Sequence, residues 1–74
     1  MTYLIQSTTT HEYFHNGQWT LDLGWAQEFP NSAHAMAACL RHGLRRVDLV
    51  LQFGSELGRS YQLRLALPER LLWP

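Results

Sequence analysis

Four histidines, one cysteine and a group of arginines are the side chains of this chain that could do chemistry. His11 and His15 stand four apart in a segment that reads as a strand, on one face but two residues removed. His34 and His42 stand eight apart in a segment that reads as a helix, about 12 Å along its axis. Neither spacing is that of a zinc motif, and a lone Cys39 cannot complete a thiolate set. The histidines are therefore expected at the surface or in caps, with no metal and no cofactor. A reactive thiolate sits near a helix N-terminus or a cation in a partly exposed place. Cys39 instead falls near the end of its helix, beside Met36 and Leu40, and is expected to be a buried structural thiol.

Arg41, Arg45 and Arg46, with His42, form the basic cluster. Such a group can contact phosphate or an acidic partner, with a tryptophan or tyrosine to stack on a base. The same cations also suit a helix C-terminus, where they complement the dipole. No ribonucleoprotein, KH or helix-turn-helix pattern accompanies them. Gly17, Gly24, Gly43, Gly54 and Gly58 each fall where a turn is expected, so none builds a phosphate cradle. Asp22, Glu28, Asp48 and Glu56 show no spacing that would pair them for acid–base work. With no set of nucleophile, base and orienting group, the chain reads as non-enzymatic.

The elements that must position these residues are few. Seventy-four residues make one small domain, which buries only about 60–65% of its unfolded surface. Formal charge is zero, with six arginines against six acidic residues and no lysine. Neutrality argues against nucleic-acid binding, whose affinity comes largely from phosphate contacts, and it eases self-association. One cysteine fits a reducing compartment. The N-terminus lacks a basic signal region, and no apolar run approaches the roughly 18 residues of a membrane span. A soluble cytoplasmic protein is expected.

Tyr3 to Ser7 is a β-favouring run that the three following threonines could extend. Glu12–His15 and Gln18–Leu21 flank Asn16-Gly17, a type I′ hairpin signal, which sets Phe14 opposite Trp19 and Tyr13 opposite Thr20. Asp22 to Ala26 reads as a helical turn or tight loop, leading to a short extended piece that ends at Phe29 before Pro30. Asn31 or Ser32 caps a helix over Ala33 to His42, and Gly43 stops it. Met36, Cys39 and Leu40, with Ala33 or Ala35, make its apolar stripe. Val47, Leu49, Leu51 and Phe53 then alternate with Arg46, Asp48, Val50 and Gln52. After a loop over 54–59, Tyr61, Leu63, Leu65 and Leu67 alternate with Gln62, Arg64 and Ala66. Two strands with one apolar and one mostly polar face predict an antiparallel pair covered on one side. The expected fold is α+β, a small antiparallel sheet with one helix on one face, in the order β-β-β-α-β-β. The domain spans residues 1–67, and an apolar tail occupies residues 68–74.

Trp19, Trp25, Trp73 and Tyr13 exceed what a core of this size readily hides. Exposed aromatics beside Leu71 and Leu72 would make the kind of patch that marks an interface. Trp25, Leu71, Leu72 and Trp73 are accordingly the candidate interface residues.

The segment from Tyr13 to Leu40 resembles a pattern in short orphan proteins of phages and bacteria. There an aromatic strand and glycine turn precede Trp-Thr, then Asp, Ala and Phe, then a capped Ala-rich helix. The matching positions are Gly17, Trp19, Thr20, Asp22, Ala26, Phe29, Ser32 and Ala37. The acidic residue common in the helix of that group is replaced here by His34 or Ala35, and the Leu-Leu-Trp-Pro tail lies outside the pattern. The resemblance implies a phage or bacterial accessory protein. It brings no shared activity and no catalytic residues.

A protein-binding domain, with self-pairing as a homodimer through a sheet edge or the tail as one form of it, is therefore the first functional expectation. The alternatives are an accessory nucleic-acid binder using Arg41, Arg45 and Arg46, and a phage-type inhibitor or immunity protein.

Overall fold

A computed structural model describes residues 1–54 and 60–67; the expected tail over 68–74, with Leu71, Leu72 and Trp73, lies outside the described residues, as does most of the 54–59 loop. The chain forms β1 (Thr2–Ser7), β2 (Tyr13–His15), β3 (Gln18–Thr20), a 3-10 turn (Leu23–Trp25), α1 (Ser32–His42), β4 (Val47–Gly54) and β5 (Ser60–Ala66). The strands make one antiparallel sheet in the order β3-β2-β1-β4-β5, with the helix against it. The fold is α+β, and the element order is the expected one.

Local chemistry accounts for most boundaries. Asn16 and Gly17 both take positive φ, 45° and 84°, as a type I′ turn demands. Phe14 pairs with Trp19 and Tyr13 with Thr20. Asn31 caps the helix, its Oδ1 accepting the His34 N–H at 2.9 Å. Gly43, at φ 64°, ends it in the left-handed conformation while the Leu44 N–H bonds the Cys39 carbonyl at 2.9 Å. The three threonines, however, do not extend β1. Ser7 Oγ accepts the N–H groups of Thr9 and Thr10, each at 3.2 Å, and folds the chain into a turn.

Two expectations about faces are corrected. On the helix side the core is Ile5, Phe14, Phe29, Ala35, Cys39, Val47 and Leu49. Ala35 and Cys39 are the residues α1 buries, whereas Leu40 is half exposed and Ala33 exposed. Small side chains at the contact let the helix lie close over the sheet, and this turns Leu40 outward. Second, the reverse face of β4 is not simply polar. Leu4, Ala26 and Val50 form a second buried cluster, with Tyr13 packed on it. The segment after β3 closes that face: Asp22 Oδ1 accepts the Gly24 N–H, and the turn delivers Ala26 beneath the sheet. The segment then returns to the edge of β1, where Phe29 exchanges two backbone hydrogen bonds of 2.8 Å with Tyr3. Leu4, Ile5 and Gln6 in β1, and Val47 to Val50 in β4, are consequently buried on both sides.

Candidate functional site

The expected chemical residues are held mainly in structural roles. His34 bonds Asn31 through its ring, Nδ1 to Oδ1 at 2.8 Å. The His42 ring lies 4.9 Å from that of Phe14, against the flank of β2. Together with Arg41, Glu28, Pro30 and Ala37 they border an open cleft of about 340 Å³. That lining offers imidazoles, a guanidinium and a carboxylate, but no hydroxyl or thiol nucleophile. Arg45 and Arg46 stand in the connection from α1 to β4, where the Arg46 carbonyl accepts both the N–H and the hydroxyl of Thr8. Among the described residues no group of three histidine, cysteine or acidic side chains could hold a metal ion, and no helix is long and apolar enough to cross a membrane.

Cys39 is fully buried, and burial pushes its thiol up to about 11. In the unfolded chain the thiolate forms near the ordinary value, about two units lower. The unfolded state therefore holds fewer protons between pH 9 and 11, and stability falls as pH rises through that window. The expected cost is on the order of 1 kcal/mol per pH unit there. Urea titrations at pH 8, 9.5 and 10.5 check the slope against a Cys39→Ala control, which should lack this component. Iodoacetamide should label Cys39 only after urea is added.

Of the candidate interface residues, Trp25 is described. Its ring is half exposed and stacks on His15 at 4.2 Å and 17°. The Nδ1 of His15 is buried without a hydrogen-bond partner among the described residues. Trp19 packs edge-on against Phe14 at 5.6 Å, so the hairpin accounts for part of its surface.

The larger open surface lies at the other side of the sheet. An 11-residue helix is ~16 Å long and ~10 Å across, whereas five strands at ~4.8 Å spacing are about twice that width. The contact of His42 with Phe14 places α1 toward β2, and among the described residues β5 and the far end of β4 are left open. There Phe53, Tyr61, Leu63 and Leu65 are 37%, 46%, 52% and 38% exposed. They share the helix side, because Phe53 faces Tyr61, Leu51 faces Leu63 and Leu49 faces Leu65 in the ladder. Leu40 on α1 is exposed as well. The alternation of β5 marks these residues as apolar. What it could not convey is that the helix stops short of them.

On the reverse face Arg64 ties β5 inward. Its guanidinium meets Asp48 at 3.3 Å, donates to Gln6 Oε1 and approaches His11 Nδ1 at 3.4 Å. Gln6 in turn donates to the His11 carbonyl at 3.0 Å. The network spans β5, β4 and β1 and anchors the edge strand. The partner of Asp48 lies sixteen positions away across a ladder, so local spacing carries no sign of this ion pair.

Comparison with family models, with curated proteins and with solved structures finds no match to this chain.

Proposed function

We propose that this chain is a non-enzymatic interaction domain that works by self-association, with the exposed β5 side of the sheet as its contact surface. The observation that carries this reading is the row Tyr61, Leu63 and Leu65, exposed on a seven-residue edge strand. Natural sheets blunt such edges with short strands, proline or charge. β3, at the opposite edge, is only three residues long. On β5 the one described charge, Arg64, is drawn inward to Asp48. An apolar row beside an unblunted edge is a surface made for another strand, and zero net charge removes long-range repulsion between copies.

Light scattering at tens of micromolar should report a dimer. A Leu63→Lys variant should weaken the association at least about 100-fold, equivalent to ~2.7 kcal/mol. Its melting temperature, compared in dilute monomeric samples, should hardly change, because Leu63 is half exposed. A strict monomer at high micromolar concentration would remove the proposal.

A further inference from the structure

We infer that two copies join edge to edge through β5, antiparallel and centred on Leu63. This rests on the self-association just proposed and adds the strand, the register and the symmetry.

The free edge can be read from the ladder. Tyr3 gives both its backbone groups to Phe29, so they point away from β4. By alternation Leu4 and Gln6 point toward β4, where they face Val50 and Asp48. Leu49, Leu51 and Phe53 must then point toward β5, where they face Leu65, Leu63 and Tyr61. That leaves the N–H and C=O groups of Gln62, Arg64 and Ala66 on the outer side of β5. None of these groups has a backbone partner among the described residues.

Side-chain chemistry then selects the register. Centring on Leu63 pairs all of Ser60–Ala66 with its own copy, whereas moving the centre by one residue leaves two residues at a strand end unpaired. Gln62 and the partner's Arg64 become a hydrogen-bonded pair on the reverse face. On the helix side Leu63 meets the partner's Leu63, and Tyr61 meets the partner's Leu65. Aromatic–aliphatic and aliphatic pairs of this kind stabilise antiparallel ladders. Centring on Arg64 would instead leave Ser60 and Tyr61 of each copy without a partner strand. The two-fold axis of the chosen register runs perpendicular to the sheet. The dimer is therefore a continuous ten-stranded sheet with both helices on one face.

Cysteine cross-linking of the full chain tests the register. At the centre of symmetry the two Leu63 residues form a non-hydrogen-bonded pair, with Cα atoms ~4.5 Å apart. Leu63→Cys should therefore oxidise in air to an interchain disulfide. Leu65→Cys alone should not, but an equimolar mixture of Leu65→Cys and Tyr61→Cys should give the mixed disulfide. Buried Cys39 does not compete. Amide exchange on the unmodified chain supplies an independent reading. Gln62 and Arg64 should slow at least ~10-fold as concentration rises through the dimerisation range. A mixed Leu63→Cys and Leu65→Cys disulfide would overturn the register in favour of the Arg64 centre. A dimer with neither the expected cross-links nor slowed amides would overturn β5 pairing while leaving self-association standing. A chain that stays monomeric would overturn both.

Discussion

A Val50→Asp variant is expected not to fold. Alternation along β4 groups Val50 with Asp48 and Gln52, a row on which another carboxylate would seem harmless. In the structure Val50 is 2% exposed and sits in the second cluster with Leu4 and Ala26. An aspartate there is too short to reach solvent and loses its hydration among Leu4 and Ala26, while Arg64, its cross-strand neighbour, is already engaged by Asp48. Asp48, two residues along the same face, adds like-charge repulsion. Such substitutions belong to the class that costs more than ~4 kcal/mol. A domain of this length has only ~4–11 kcal/mol in total. Circular dichroism should show no cooperative melt, while Gln18→Asp, exposed on the opposite edge strand, should melt within a few degrees of the parent. A Val50→Asp chain that melts normally would mean that Ala26 does not seal the reverse face.

Phe14→Ala is expected to have the next largest effect. Phe14 is 2% exposed and lies where three elements meet. Its ring touches Trp19 of β3 and His42 of α1, and its carbonyl accepts the Gln27 N–H at 3.0 Å. Truncation removes a large apolar area and leaves a cavity, at a cost of ~3–5 kcal/mol. For a domain of this size the melting temperature should fall by ~15 °C or more. Trp19→Phe, at a partly exposed position, should cost much less. Near-equal losses in the two variants would show that the hairpin rather than the helix contact carries the stability of this corner.

Much of the architecture was legible because its causes are local. Asn16-Gly17 dictates a type I′ turn whatever surrounds it, and the pairing of Phe14 with Trp19 follows from the two-residue loop. Asn31 and Gly43 set the helix ends through groups within four residues of them. Val47 to Phe53 and Tyr61 to Leu65 carry a period of two that admits only strands. The errors fall where a distant segment decides. Thr8 to Thr10 have strand propensity, but the Ser7 hydroxyl and the Arg46 carbonyl hold them in a turn. Leu40 lies on the apolar side of a helical wheel, but the helix rolls onto Ala35 and Cys39.

The candidate surface divides in the same way. The row Tyr61, Leu63 and Leu65 is plain in the sequence as the apolar face of a strand. That β5 is an edge, and that a single short helix seated near β2 leaves it open, depends on strand order and helix position. The inward tie of Arg64 to Asp48 depends on the same ladder. Propensity, turn dihedrals and caps are properties of a few neighbouring residues, so the sequence alone determined which elements form and where most of them end. Burial is a property of what lies above and below an element. Only the tertiary arrangement decided that Val50 is core, that Leu40 is surface, and that no other described element covers β5.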